Sequence, residues 1–597
     1  MAESKSTNSE TGKGDINKEW GNELFEAGQN AFRNAMQNNN SLKGNLFDPF
    51  NMTSAYLGAM FSLWRNPAAV IEAQQDYVNN SLKLWQYTMG RMMGKDSEPV
   101  ISPKKGDNRW RNQDWTENPI FDYLKQSYLL GARCVEHVIE GIDDLPEKES
   151  RKLAFFTKQY IDALSPSNSP ITNPQVLKTT LENKGKNLVQ GLQNFIQDLE
   201  KSDGSLQIAM TDPNAFTLGE NVAVTKGKVV YQDRLFQLIQ YTPATEKVYK
   251  RPVLIIPPWI NKFYVLDLQP KNSMVKWLAD QGHTVFMVSW VNPDETYSDT
   301  DMEDYMIDGV YTAVEAVEKA TGEHQINLVG FCIGGTLIAA TLAHMAARGD
   351  ERIKSATFFA SLIDFAEPGD LGVFIDDIQV SNLEKSSEEK GYLDGKMMAQ
   401  TFNLLRSNDL IWSFYINNYL EGKDPAIFDL LYWNSDSTNL PAKMYSSYLR
   451  NMYLENNLIK PGGITLGGVP IDVRKIEIPC YFISSHDDHI APWKSTYSGA
   501  RLIPGPVRFV LGGSGHIAGI VNPPAAGKYC HWTGPEQLPE QPDQWFAVAE
   551  KHEGSWWPDW HKWMTNLNRT KVPARIPGEG GLAAIEDAPG SYVCKRI

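Results

Sequence analysis

The cysteine at position 332 lies in a sequence pattern that is typical of a catalytic nucleophile. Residues 330–334 read Gly-Phe-Cys-Ile-Gly, which fits a Gly-x-nucleophile-x-Gly turn between a strand and a helix, with a thiol where most such enzymes carry a hydroxyl. Glycines flank such turns because the nucleophile adopts a strained backbone conformation and a neighbouring Cβ would clash. A buried cysteine in an ordinary turn is the alternative interpretation, and this pattern alone leaves it open.

Two downstream loops contain side chains that could activate this thiol. Residues 486–490 read His-Asp-Asp-His-Ile, and residues 512–516 read Gly-Gly-Ser-Gly-His. A free thiol is mostly protonated at neutral pH, so a neighbouring imidazole is needed to take its proton, and we interpret His516 as this base. Asp488 would hold the imidazole tautomer and stabilise its cation, with Asp487 as the alternative carboxylate. We interpret His489 as a packing or supporting residue.

Backbone amides are expected to stabilise the charge that develops on a reacting carbonyl oxygen. One donor should be the N–H of the residue after the nucleophile, which is Ile333. The second should come from the loop 257–262, which reads Pro-Pro-Trp-Ile-Asn-Lys. Prolines have no N–H to donate, so we predict that Ile260 supplies it.

The elements that must position these residues begin at about residue 217, where strands and helices start to alternate as in an α/β layer fold. The predicted strands are 229–231, 236–241, 253–256, 284–288, 326–329, 356–360, 481–485 and 507–511. The candidate nucleophile, acid and histidine follow in that chain order, each on a loop after a strand. This order predicts an α/β-hydrolase fold, with a helix at 335–347 directly after the nucleophile.

One gap in this alternation indicates an insertion. About 120 residues separate position 360 from position 481, whereas a strand–helix–strand unit needs only about 30. The intervening sequence is helical and aromatic in character. We predict an inserted helical cap at about 362–478 within a catalytic domain that spans 206–597.

Residues 1–205 are predicted to form a helical N-terminal region, with 1–17 disordered because they are polar. Apolar residues recur at helical spacing from Trp20, and a second long helix is expected to open at Asn66 and Pro67 and to run through Met92. More helices are expected over 121–201, broken at 165–174. The apolar helix faces should pack on the rest of the chain or on a partner, or adsorb to a lipid or polymer surface.

Composition excludes several classes of protein. The formal net charge is −15, which argues against a general nucleic-acid surface. No apolar run approaches the 18 residues of a membrane span, and the first residues lack the apolar core of a secretory signal. The five cysteines are scattered without a Cys-x-x-Cys pair, which argues against a zinc site or a disulfide framework and favours the cytoplasm.

Sulfur at the nucleophile position favours acyl transfer. A cysteine acyl-enzyme is a thioester, so exchange with an incoming thioester substrate is nearly balanced and onward transfer to an alcohol runs downhill. A closed apolar cap would keep water away from this intermediate. The thiol therefore suits transfer of an acyl group from coenzyme A to a hydroxyl.

Several segments resemble the class I polyhydroxyalkanoate synthases, over about residues 100–595. The segments are 107–115, 119–123, 257–264, 266–270, 330–336, 432–436, 488–493, 514–519 and 554–558. The resemblance implies that Cys332 is the nucleophile, His516 the general base and Asp488 its acid partner. It also implies that Asp267 and Trp433 lie near the active site or an interface.

The same resemblance implies a substrate and partners. The substrate would be (R)-3-hydroxyacyl-CoA, chiefly 3-hydroxybutyryl-CoA, and the product a polyester granule in the cytoplasm. Neither a metal nor a redox cofactor would be required. The N-terminal helices would meet the granule surface or granule-associated proteins, and a homodimer is expected.

Two other functions are considered beside this one. A cysteine-dependent thioesterase or polyester hydrolase would have the same fold and would release a free hydroxy acid. A non-catalytic granule-coat protein would be consistent with the helical N-terminal third.

Overall fold

The computed structural model describes residues 59, 62–63, 68–95, 97–142, 145–201 and 206–597. The expected disorder of 1–17, the expected helix from Trp20 and the expected helix start at Asn66 and Pro67 lie outside these residues. The chain divides into two compact units. We call them the helical unit, Met1–Asp212 with Arg406–Ala426, and the sheet unit, Pro213–Leu405 with Ile427–Ile597.

The helical unit contains six α-helices among its described residues. They are α1 (Ala68–Met92), α2 (Asp114–Glu117), α3 (Pro119–Glu140), α4 (Glu147–Ala163), α5 (Pro174–Glu182) and α6 (Lys186–Lys201). The start of α3 follows local rules, since the Asn118 side chain accepts a hydrogen bond from the Ile120 N–H and Pro119 occupies the first helical position. The expected break at 165–174 separates α4 from α5. Helices therefore lie where the apolar periodicity predicted them.

A segment from the predicted cap belongs to the helical unit. Arg406–Ala426 groups with the N-terminal helices, whereas the sequence analysis placed these residues in the cap of the catalytic domain. The Asn187 side chain on α6 donates to the Leu420 carbonyl at 2.8 Å, and the Tyr419 hydroxyl donates to Asp198 at 2.7 Å. The grouping of this segment depends on contacts with α6, some 220 residues earlier, that no local pattern reveals.

The sheet unit is built around an 11-stranded mixed sheet. The strands of the unit are β1 (Gly227–Gln232), β2 (Phe236–Tyr241), β3 (Lys247–Tyr249), β4 (Val253–Ile256), β5 (Val285–Trp290), β6 (Ile326–Phe331), β7 (Ile353–Phe359), β8 (Tyr392–Leu393), β9 (Leu440–Pro441), β10 (Thr465–Leu466), β11 (Val469–Pro470), β12 (Cys480–Ser485), β13 (Val507–Gly512), β14 (Cys530–Thr533), β15 (Glu550–Glu553), β16 (Lys571–Pro573) and β17 (Glu586–Asp587). The sheet order is β15-β14-β13-β12-β7-β6-β4-β5-β2-β1-β17. Strands β5, β4, β6, β7, β12 and β13 run parallel, and the outer strands on both sides pair antiparallel.

All eight strands predicted from sequence are present, because each is a fully buried or nearly buried apolar run. Helices cover the sheet and fill the insertion between β7 and β12. They are α7 (Met274–Asp280), α8 (Met302–Asp304), α9 (Thr312–Thr321), α10 (Ile333–Arg348), α11 (Asp377–Lys390), α12 (Gly395–Leu405), α13 (Asp429–Asn434), α14 (Ala442–Tyr448), α15 (Trp493–Ala500), α16 (Pro542–Val548) and α17 (Trp557–Leu567). The short strands β14, β15 and β17 at the sheet edges were missed because they carry few apolar residues. The predicted α/β-hydrolase fold is confirmed.

Candidate active site

Cys332 lies in a strained turn between β6 and α10. Its φ of 53° and ψ of −121° are unusual for a residue with a Cβ. The Cys332 N–H donates to the Phe359 carbonyl at the end of β7, at 2.8 Å. The turn is thereby fixed to the neighbouring parallel strand, and the thiol side chain remains partly exposed. This is the geometry expected of a nucleophile elbow.

Glycines are required on both sides of this turn. A Cβ at Gly334 would lie 2.3 Å from the Ile256 carbonyl oxygen and 2.9 Å from that of Pro257, and a Cβ at Gly330 would lie 2.6 Å from the Gly335 Cα. These neighbours are backbone atoms, which cannot move aside without distorting the sheet. The first turn of α10 therefore packs directly against the end of β4.

The structure brings His516 and Asp488 together at the same sheet edge as Cys332. Asp488 follows β12 and His516 follows β13, and these two strands are parallel neighbours. His516 Nδ1 lies 2.7 Å from Asp488 Oδ2, and both side chains are buried. Asp488 Oδ1 accepts the backbone N–H groups of Ile490 and Ala491, each at 2.9 Å. The carboxylate is thus fixed on one side by its own loop and on the other by the imidazole.

The protonation of His516 is set by three opposing influences. Burial lowers the pKa of His516, but the charges of Asp488 and Cys332 and hydrogen bonds to both side chains raise it further than burial lowers it. The net result is a pKa well above the usual histidine value. Since Nδ1 faces Asp488, Nε2 is the ring nitrogen that is available to accept the Cys332 thiol proton. This arrangement can draw the proton from Cys332 and hold the resulting imidazolium.

Asp487 and His489, the two neighbours of Asp488 that the sequence analysis also considered, have different surroundings. Asp487 has a 67% exposed side chain and pairs with His486 Nδ1 at 2.7 Å, so it is not the carboxylate beside His516. His489 is half-buried, and its carbonyl accepts the Asp370 N–H at 2.9 Å. The structure therefore has Asp488, and not Asp487, in contact with His516.

The proposed oxyanion donors lie on the two segments that meet at the elbow. Ile333 is the first residue of α10, and Ile260 lies in the loop that follows β4. Both side chains pack partly buried against the same apolar core. The close approach of Gly334 to the Ile256 and Pro257 carbonyls holds these segments side by side.

Asp267 lies on the segment that follows β4, and Trp433 contacts that segment. The buried Asp267 carboxylate accepts the hydroxyl hydrogens of Thr225 and Ser273, and Ser273 also caps α7. Burial raises the pKa of Asp267 to about 6, against the lowering effect of these hydrogen bonds. Trp433 Nε1 donates to the Lys262 carbonyl at 2.7 Å. Both residues therefore brace the loop after β4.

Two family models match this chain. A model of the poly-beta-hydroxybutyrate polymerase (PhaC) N-terminus matches residues 106–278, and a model of the alpha/beta hydrolase fold matches residues 251–523.

Characterised relatives cover most of the sequence. The chain is 48% identical over 530 residues to a poly(3-hydroxyalkanoate) polymerase of Methylorubrum extorquens, covering 89% of this chain and 87% of the relative. It is 47% identical over 531 residues to the polymerase subunit PhaC of Rhizobium meliloti, covering 89% and 86%. It is 41% identical over 534 residues to subunit PhaC of Cupriavidus necator, covering 88% of each. The chain belongs to the poly(3-hydroxyalkanoate) polymerase family. This confirms the family recognised from the sequence segments.

Two tyrosines lie close enough to Cys332 to interact with it electrostatically. The sequence analysis did not identify them as candidate site residues. Burial is the largest cause of a raised pKa at both Tyr448 and Tyr453, and the charge of Cys332 raises both further. Interaction with Thr336 on α10 lowers the pKa of Tyr448, but less than burial raises it. The two rings pack around Phe365, with centroids 6.1 and 5.0 Å from its ring. Aromatic density in the insertion was the available signal, but it did not identify which rings face the thiol.

Within the described part of the polymerase-family chain, no group of three or more His, Cys, Asp or Glu side chains is placed to hold a metal ion. In the same residues, no helix combines the length and apolarity needed to cross a membrane.

Proposed function

We propose that this protein is a class I polyhydroxyalkanoate synthase that polymerises (R)-3-hydroxyacyl-CoA, chiefly 3-hydroxybutyryl-CoA, with release of CoA. The observation that carries the proposal is the arrangement of Cys332 at a strained elbow next to His516, whose Nδ1 lies 2.7 Å from Asp488. Membership of the poly(3-hydroxyalkanoate) polymerase family supports the same chemistry. The thioester substrate carries its own leaving group, so the proposal includes no metal or redox cofactor.

In the first half-reaction, His516 takes the thiol proton and the Cys332 thiolate attacks the thioester carbonyl carbon. The developing oxyanion would accept hydrogen bonds from the N–H groups of Ile333 and Ile260. When the tetrahedral intermediate collapses, the bond to the CoA sulfur breaks and His516 returns its proton to the departing thiolate. The acyl group is then held on Cys332 as a thioester.

In the second half-reaction, a 3-hydroxyl group attacks this acyl thioester. His516 takes the hydroxyl proton, an oxygen ester forms, and the Cys332–acyl bond breaks. Asp488 stabilises the imidazolium in both steps through its 2.7 Å contact with Nδ1. Apolar and aromatic side chains of the insertion, such as Phe365 and Tyr448, would limit the access of water to the intermediate.

The helical unit is proposed to associate with the polyester granule in the cytoplasm or with granule-associated proteins. Its described helices expose large apolar side chains, including Leu82 at 60% and Trp85 at 58% on α1. A homodimer is proposed from the family resemblance.

The test is to incubate the purified chain with 3-hydroxybutyryl-CoA and to measure CoA release together with the product. Insoluble polyester supports a synthase, whereas free hydroxy acid would instead indicate a thioesterase or hydrolase. Cys332→Ser should lower CoA release by about 10⁴-fold or more. Cys134→Ser in the helical unit is the matched control and should retain activity. Polymer formation by the Cys332→Ser variant at the normal rate would contradict the proposal.

A further inference from the structure

A buried ion pair lies beside the loop that carries Ile260. Lys262 Nζ contacts Asp436 Oδ1 at 2.6 Å, and the two side chains are only 4% and 1% exposed. Removing two charges from water is costly, and their attraction offsets this cost only where the remaining donors and acceptors are also satisfied. The surroundings of this pair should therefore be tightly specified.

Every hydrogen of the ammonium group has an acceptor. Besides Asp436, Lys262 Nζ donates to the carbonyls of Val593 and Lys595, at 2.8 and 3.1 Å. An ammonium group has three N–H donors, so its capacity is fully used. The second carboxylate oxygen of Asp436 accepts the Tyr264 hydroxyl at 2.8 Å. The pair thus joins the loop after β4, the residues after α13 and the segment 593–595.

Further bonds hold the loop on both sides of Ile260. The Thr438 hydroxyl donates to the Trp259 carbonyl at 2.9 Å, and Trp433 Nε1 donates to the Lys262 carbonyl at 2.7 Å. Both partners come from the short stretch that contains Asp436. The Trp259 carbonyl belongs to the same peptide group as the Ile260 N–H, and the Lys262 carbonyl lies two residues further along the loop. The predicted oxyanion donor is therefore fixed, at its own peptide group and just after it, to the same part of the insertion.

We propose that Lys262 is a positioning residue for the reaction, because its ion pair with Asp436 fixes the backbone around Ile260 against the elbow. This inference rests on the proposed function. An oxyanion donor must be held to within about 0.5 Å of its productive position, and a shift of about 1 Å can lower the rate by about 10²-fold. Lys262 lies two residues from Ile260, on a loop whose opposite end contacts Gly334.

The decisive variant is the double substitution Lys262→Met with Asp436→Asn. It removes both charges together while leaving an acceptor for Tyr264. It should therefore fold with a melting temperature closer to the parent than Lys262→Met alone, in which the buried carboxylate keeps only the more distant and partly exposed Arg596, 3.5 Å from Oδ1, as its cation. We expect kcat for CoA release to stay about 10- to 100-fold low in the double variant, with KM for the acyl-CoA changed less than threefold.

A second, less disruptive variant tests the position of the same loop without changing any charged residue. Thr438→Val removes the hydrogen bond to the Trp259 carbonyl and nearly conserves volume. It should lower kcat by about 3- to 10-fold with KM unchanged. Arg508→Met is the matched control because Arg508 pairs with Asp559 at 2.6 Å, and it should lower the melting temperature while leaving kcat unchanged.

The outcomes separate this inference from the function on which it rests. A parent protein that releases no CoA overturns the proposed function. An active parent together with parental kcat in both the double variant and Thr438→Val overturns the positioning role, since the ion pair would then serve stability alone. A low kcat with a near-parental KM in the folded variants supports it.

Discussion

The two units use buried charge in different ways. In the helical unit, Arg109 contacts Asp107 at 2.8 Å and Asp162 at 3.0 Å, and its remaining donors reach Tyr128 and Asp107 again. This cluster is closed, because its members satisfy one another. In the sheet unit, the Asp488–His516 pair is open: Asp488 contacts only Nδ1 of the imidazole, and the other ring nitrogen remains available to Cys332. A buried aspartate is therefore structural where all the bonds of its cluster are mutual, and is proposed to act in the reaction where its partner also faces a reactive atom.

The largest effect is expected from removing the charge of the open pair. Asp488→Asn should lower kcat/KM by about 10³- to 10⁴-fold, as loss of the orienting carboxylate does in related triads. Because Asp488 raises the pKa of His516, the substitution should also lower that pKa, as measured by NMR titration of the ring. The adjacent Asp487→Asn changes an exposed carboxylate and should leave both values unchanged. An equal loss in both variants would contradict the assignment of the acid.

Breaking the closed cluster around Arg109 should lower the stability of the fold and leave the rate of CoA release unchanged. Arg109→Met leaves the buried Asp162 carboxylate with Lys158 as its remaining cation, so we expect the free energy of unfolding to fall by about 3 kcal/mol. Denaturant unfolding measures this loss. Per folded molecule, the rate of CoA release should match the parent. A reduced rate in the fully folded variant would show that the comparison between the units is wrong.

A pair of glycines allows the same comparison for backbone packing. A Cβ at Gly334 would lie 2.3 Å from the Ile256 carbonyl oxygen, and a Cβ at Gly191 on α6 would lie 1.8 Å from that of Tyr419. Both Gly→Ala variants should lose about 2 kcal/mol or more of stability from overpacking. Gly334→Ala should also lower kcat at least tenfold because it displaces the elbow. Equal losses of kcat in Gly334→Ala and Gly191→Ala would contradict the different roles assigned to the two glycines.

The last prediction concerns the pH dependence of stability and expects no change in catalysis. Asp267 has a pKa of about 6 in the folded protein, above its ordinary value of 3.8, so between these values the folded state retains a proton that the unfolded state has released. Raising the pH through this window should therefore lower the free energy of unfolding, by at most about 3 kcal/mol. Asp267→Asn should lack this decrease, whereas the exposed Asp280→Asn should retain it. Urea unfolding at several pH values measures the difference.

Much of the fold could be predicted because its signals are local. Each of the eight apolar strands can be recognised from a run of a few residues. The elbow around Cys332 can be recognised from two glycines in a five-residue pattern. The helices of the N-terminal region follow from apolar spacing and from caps such as Asn118. Their environment did not follow, since α1 buries Ala73 and Leu84 but leaves Leu82 and Trp85 largely exposed.

Residue types and chain order were enough to identify the family and to propose a nucleophile, a histidine and a pair of candidate acids. Folding then placed Asp488 beside His516, grouped Arg406–Ala426 with the helical unit, and brought Tyr448 near Cys332 and Lys262 against Asp436. These outcomes depend on side chains that meet across about 100 to 230 positions of sequence or, for the two aspartates, on which of two adjacent side chains is buried beside His516. Pairings of this kind are set by packing and by the satisfaction of buried polar groups, which leave no periodic trace in the chain.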